Sequence, residues 1–229
     1  MERIIPEILY EDNHLIVVNK PPGLLVHGDK TGDPTLEDAV REYIRVTYQK
    51  PGNVFTKAVH RLDRPVSGAI IIGKTSKGHS RMAQMFRERE VDKVYWALTA
   101  RCPSPPAGAV RQYLTKDSEE NVVKWYNEPQ PDAKEAFTEY RFLREVNDLY
   151  LIELHPETGR SHQLRVLMRS KRCPIAGDIK YNGRKISSSR AILLHSREIS
   201  FEHPVKKERI HIIAPLPDVL EWRNAEETE

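Results

Sequence analysis

FTKAVHRLDRPVSGAIIIGKT, residues 55–75, admits two readings, and they lead to different folds. Its last eight letters, Gly68 to Thr75, fit the phosphate-loop pattern G-x-x-x-x-G-K-[ST], which would open a nucleotide-binding α/β fold. That motif needs a strand before its first glycine and an irregular, amide-presenting loop between its two glycines. Here the intervening residues are Ala69, Ile70, Ile71 and Ile72, and consecutive β-branched side chains favour extended, buried backbone. Before Gly68 stand Arg64, Pro65, Val66 and Ser67, which read as a turn. The pattern therefore predicts a strand over Gly68–Lys74 and makes the phosphate-loop match accidental.

Working outward, Ile8–Tyr10 and Leu15–Lys20 are short β-rich runs, and Pro21-Pro22-Gly23 turns the chain. Thr35 to Tyr48 predicts a helix, with Thr35 and Asp38 as a capping pair and Leu36, Ala39, Val40, Tyr43 and Ile44 on one face. Thr75 or Ser76 caps a second helix whose Met82, Met85 and Phe86 face inward. Strands are expected over Lys93–Ala100, Ala136–Glu145, Leu149–His155, near Ala191–Phe201 and over Arg209–Ile213, with a helix over roughly Ser161–Lys171. Many strands and few intervening helices predict an α+β fold. Its central sheet should be mixed and mainly antiparallel, flanked by helices and loops, not doubly wound. With short linkers, residues 1–229 read as one domain.

A hydrophobic fraction of 39% and a charged fraction of 30% suit a soluble globular protein. Net charge is only +3, but the basic residues cluster. From Arg41 to Arg81 nine positives face two acids, Glu42 and Asp63; from Arg160 to Arg190 nine face Asp178 alone. Acids gather elsewhere, at Asp117, Glu119 and Glu120 and in Glu226 to Glu229. Such asymmetry predicts a polyanion partner. Cys102 and Cys173 form no metal-ligand spacing, so no metal is expected. The first residues, MERIIPEILYEDNH, carry no signal-peptide core, and no apolar run reaches membrane-spanning length. A cytoplasmic protein without a membrane partner is expected.

Asp63 is the only acid in its stretch, set among Lys57, His60, Arg61, Arg64 and Lys74. It is either a salt-bridged surface turn or a carboxylate that flanking cations keep charged, as a nucleophile or base requires. A glycosidase would need a second carboxylate nearby, and a serine hydrolase a G-x-S-x-G elbow; neither is present. What remains is chemistry by one carboxylate on an anionic substrate. In TGRSHQLRVLMRSKR, residues 158–172, helical spacing puts Leu164, Leu167 and Met168 on one face and His162, Arg165 and Arg169 on the other. The first face can pack on a sheet while the second presents cations.

Taken together, these motifs resemble the RluA type of pseudouridine synthase over almost the whole chain. NKPPGLLVH (Asn19–His27), HRLDRPVSG (His60–Gly68), KVYWALTA (Lys93–Ala100), TGRSHQLRV (Thr158–Val166), PIAGDIKYNG (Pro174–Gly183) and LLHSREISFEHP (Leu193–Pro204) follow in the family's order. Val66 and Ser161 stand where the family usually has threonine, which bears on subfamily and substrate. No extra RNA-binding domain of the S4 kind is expected before the first motif, so the catalytic domain, or another macromolecule, would have to select the RNA.

The resemblance implies that Asp63 is the catalytic aspartate, Tyr95 the active-site tyrosine and Arg165 the arginine that pairs with the aspartate. It implies an isomerase acting on uridines of structured RNA, ribosomal or transfer, with neither cofactor nor bound nucleotide; the sequence does not give the oligomeric state, and a monomer is expected. Asp63 would attack C1′ or remove the C2′ proton; Tyr95 would stack on the uracil and help C5 lose its proton. The uridine has to leave its stack, and Arg61 or His60 are the candidates to fill the gap. Arg64, His162, Leu164 and Arg169 complete the expected RNA contacts, while Lys20 and His27 either touch RNA or flank a turn. Two other classes remain open: an RNA-binding or chaperone protein without catalysis, and a nucleotide hydrolase.

Overall fold

The computed structural model describes residues 5–117, 119–186 and 191–226. Arg190 of the second basic stretch, residues 1–4 and the acidic residues 227 and 229 therefore lie outside the described residues. In chain order the elements are β1 (Glu7–Glu11), β2 (Leu15–Lys20), α1 (Leu36–Thr47), β3 (Lys57–Ala58), β4 (Ser67–Gly73) and α2 (Ser76–Glu88). Then come β5 (Asp92–Thr99), β6 (Ala107–Asp117), β7 (Val122–Tyr126), β8 (Lys134–Val146) and β9 (Leu149–Pro156). The last are α3 (Gln163–Ser170), β10 (Leu194–Glu202) and β11 (Arg209–Ile213). The fold is α+β with mainly antiparallel strand pairing, as expected. The described residues gather into two compact units, those within Met1–Asp92 and Ser196–Pro215, and those within Lys93–His195 and Leu216–Glu229. No helix among the described residues is long and apolar enough to cross a membrane.

In the first unit β1 pairs with β2, β2 and β3 pair with β4, and β10 pairs with β11, all antiparallel. The disputed glycines bracket a strand. Ile70, Ile71 and Ile72 are wholly inaccessible, and Val17 lies opposite Ile71 in register. Both faces of β4 are covered, which is why its residues run without polar alternation. Leu15, Val17, Ala69 and Ile71 share a core with Met82 of α2 and with Ile199, Phe201 and Ile212, and Met85 and Phe86 pack against it. Thr75 caps α2 by accepting from the Gly78 amide, and Thr35 caps α1 by accepting from the Asp38 amide.

Lys74, the would-be phosphate lysine, makes an ion pair with Glu11. Tyr43 and Tyr48 donate hydrogen bonds to that same carboxylate, at 3.1 and 2.9 Å. Burial works to raise the Glu11 pKa, but Lys74 and the two tyrosines outweigh it and hold it below the ordinary value. The residues of the accidental motif are all used structurally.

Gly68 shows why a glycine is needed there. Its φ of +111° is a region that side chains rarely adopt, and a Cβ would run into the backbone of Ser196 on the neighbouring strand β10.

The second unit is an antiparallel sheet in the order β5-β9-β8-β6-β7. The β6–β7 hairpin was not expected from the sequence; its buried Leu114 and Val123 cluster with Ala136 of β8, Val166 of α3 and Tyr181.

Candidate active site

Asp63 lies in the loop between β3 and β4, where the Val66 amide bonds the Asp63 carbonyl at 3.0 Å and closes a turn. Leu62 is buried beneath it, Asp63 itself is half-buried, and Arg61 and Arg64 are exposed. His60 is committed to the scaffold. Its Nε2 accepts from the Ile71 amide at 3.1 Å, and its ring stacks on Phe86 with centroids 4.6 Å apart. Of the two residues expected to fill the gap of a turned-out base, Arg61 is the one whose guanidinium has no partner among the described residues.

Lys20 explains how the loop is held. It is completely buried, and its Nζ donates to the carbonyls of Pro21 (2.9 Å), Leu24 (2.8 Å) and Arg64 (3.1 Å). Burial pushes its pKa down to about 7, with the negative charge of Asp63 pulling the other way. Of the two readings open for Lys20, RNA contact or the flank of a turn, its burial favours the turn: an amino group held by three carbonyls in the interior has no access to a phosphate. Arg64 completes the clamp. Its Nε donates to the Gly23 carbonyl at 3.0 Å, its Nη2 meets Asp33 at 2.7 Å, and its carbonyl accepts from the Gly23 amide at 2.8 Å. His27 bonds Glu37 at 2.9 Å, so it too has a structural partner.

The second unit holds the other expected residues. Tyr95 sits on β5, opposite Leu154 of β9 and 8% exposed. The two-faced reading of α3 needs correction. Gln163, Leu164, Arg165, Val166, Leu167 and Met168 are all buried, and so is His162, whose φ of 54° starts the helix later than Ser161. The guanidinium of Arg165 grips Asp178 from two sides, Nε to Oδ2 at 2.7 Å and Nη2 to Oδ1 at 2.8 Å, and lies 5.1 Å over the Tyr181 ring. His162 Nδ1 lies 2.7 Å from the Tyr181 hydroxyl, which accepts from the Val123 amide at 2.9 Å. Of the supposed cationic face only Arg169 stays half-exposed. The reason is Asp178: a buried carboxylate draws a buried guanidinium inward.

Asp178 and Tyr181 were not among the expected site residues. The sequence did carry one signal, since Asp178 is the single acid in a strongly basic span.

The family profile described as RNA pseudouridylate synthase matches residues 14–170. The chain belongs to this family. Among curated relatives, the ribosomal large subunit pseudouridine synthase C of Rickettsia prowazekii is 35% identical over 92% of this chain and 68% of its own length. The mitochondrial pseudouridylate synthase RPUSD4 of Xenopus tropicalis is 37% identical over 77% of this chain and 60% of its own. Among solved structures, human RNA pseudouridylate synthase domain containing 4 aligns with a TM-score of 0.76 and 27% identity, covering 93% of this chain and 89% of that one.

As an RNA pseudouridine synthase the chain is an isomerase. Its reaction breaks the bond from uracil N1 to C1′, turns the base and joins C5 to C1′, with no net change of atoms. Lys20, Asp63, Tyr95 and Arg165 all fall within the matched residues, and Asp178 falls beyond them.

Proposed function

We propose that this pseudouridine synthase acts on ribosomal RNA, that Asp63 is its one reacting carboxylate, and that the reaction proceeds without a cofactor. The observation that carries the reading is the Asp63 loop: a half-buried carboxylate on a turn locked by a buried lysine, beside an exposed arginine, Arg61, with no side-chain partner among the described residues. A reacting group needs such fixing, because orientation lost at the site is rate lost. The names of the Rickettsia relatives, which refer to the large ribosomal subunit, support the choice of ribosomal over transfer RNA.

In this reading Asp63 attacks C1′ or takes the C2′ proton, and Arg61 enters the stack that the uridine has left. Tyr95 offers a ring to the uracil, and Arg165, positioned by Asp178, supplies positive charge. The two units work as a single catalytic domain.

Asp63→Asn is nearly isosteric and removes the charge. The test is tritium release from 5-tritiated uridine in ribosomal RNA, with a melting curve and an RNA-binding isotherm for each protein. The variant is expected to fold and bind RNA while product falls below detection. Turnover at the wild-type rate by folded Asp63→Asn would overturn the assignment. Mapping pseudouridines in ribosomal and transfer RNA, with and without the gene, tests the substrate.

A further inference from the structure

Arg101, Arg169, Arg172 and Arg184 line one cavity of about 510 Å³ in the second unit, with Pro174 and Asn182 in its wall. Among the described residues no carboxylate lines it. None of the four guanidiniums has a hydrogen-bond or ion-pair partner among the described residues. The neighbouring acid, Asp178, is already taken at both oxygens by Arg165. Four like charges lining one cavity with no carboxylate among its described lining residues repel one another, so the arrangement favours a polyanion.

The arginines come from three segments: the end of β5, the end of α3 and the stretch after Tyr181. Backbone hydrogen bonds tie these segments together. The Ala176 amide bonds Leu98 at 2.9 Å, Gly177 bonds Arg184 at 2.7 Å, Gly183 bonds Asp178 at 2.8 Å, and Cys173 bonds Met168 at 3.1 Å. Gly183 is required there, since a Cβ would run into the Ile175 carbonyl. The cavity is thus formed before any ligand arrives, which spares the cost of ordering it on binding.

We propose that this cavity binds backbone phosphates of the substrate RNA where the strand is unpaired. The proposal rests on RNA being the substrate. Arg169 lies one helical turn, about 6 Å of rise, beyond Arg165, so a strand handled near Arg165 brings its next phosphates to the cavity. Guanidiniums bind phosphate oxygens in bidentate fashion, and four of them serve more than one phosphate. A regular duplex presents a fixed row of phosphates, whereas a loop or bulge can fold its backbone into a concave pocket.

The test is binding by the Asp63→Asn chain of residues 1–229, which needs no turnover. A uridine oligoribonucleotide and a perfect RNA duplex are titrated across a salt series, with and without Arg172→Gln plus Arg184→Gln. For the single strand the double substitution should weaken affinity at least tenfold and lower the log–log salt slope by about 1.4, at ~0.7 per lost phosphate contact. Duplex affinity should change by much less. Melting should stay at the wild-type temperature, because these guanidiniums hold no partner among the described residues, and Arg172→Lys plus Arg184→Lys should keep most of the slope.

An unchanged slope and affinity in the double variant would overturn the proposal. So would equal losses for strand and duplex, or displacement of the strand by uridine monophosphate at equimolar concentration, which would make this a mononucleotide site. If no pseudouridine forms in ribosomal RNA but the slope still drops, the proposed substrate fails and the phosphate site stands.

Discussion

Arg165 and Asp178 form a two-point ion pair inside the second unit, 2.7 and 2.8 Å long, with side chains 6% and 1% exposed. Removing one partner of such a pair leaves an uncompensated buried charge, at a cost of about 3–5 kcal/mol. Asp178→Asn should therefore lower the melting temperature and depress pseudouridine formation severely. Adding Arg165→Met should restore much of the stability and none of the activity. Wild-type melting and turnover in Asp178→Asn would show that the pair matters to neither.

Lys20 gives stability a defined pH dependence. Its pKa falls from 10.5 in the unfolded chain to about 7 in the folded one. Between those values the unfolded chain binds the proton and the folded chain does not, so the Lys20 contribution rises with pH across that window and its penalty is complete below it. Lys20→Met, which keeps the length and loses the charge, should flatten that slope in denaturant titrations between about pH 7 and 10. Identical slopes in the two proteins would show that the carbonyl cage keeps the ammonium charged.

Lys74→Ala tests the accidental motif. Glu11 loses its cation but keeps two tyrosine hydroxyls, so a stability loss of about 2 kcal/mol is expected, with pseudouridine formation nearly intact. An ATPase activity that disappears in this variant would restore the phosphate-loop reading.

Gly68→Ala combines an unfavourable φ with a collision against Ser196. The backbone conformation alone costs about 1–3 kcal/mol, and the collision adds to it. Urea denaturation should show a clear drop in midpoint, and a wild-type midpoint would refute the collision.

The first unit was largely legible. Its hydrophobic runs are short and bounded by Gly, Pro and Thr signals, and β2, α1 and α2 fall within a residue or two of expectation. In the second unit the β6–β7 hairpin escaped notice, because AGAVRQYLTKD mixes glycine and charges into a half-exposed strand. The face presented by α3 was misread for a different reason. Helical spacing groups His162 with Arg165, but whether that side is wet depends on partners thirteen to nineteen residues on, Asp178 and Tyr181. Lys20 hid in the same way, since nothing local distinguishes a caged lysine from one that greets a phosphate.

The return of Ser196–Pro215 to the first unit has a consequence for synthesis. Ile199, Phe201 and Ile212 belong to the same core as Val17 and Ile71, yet the ribosome makes them more than a hundred residues later. Until then β4, with three consecutive isoleucines, has no β10 beside it, and a nascent chain carries an unpaired apolar edge. The N-terminal segment has to wait, and during that wait it is an apt client for a chaperone and a hazard when translation stalls.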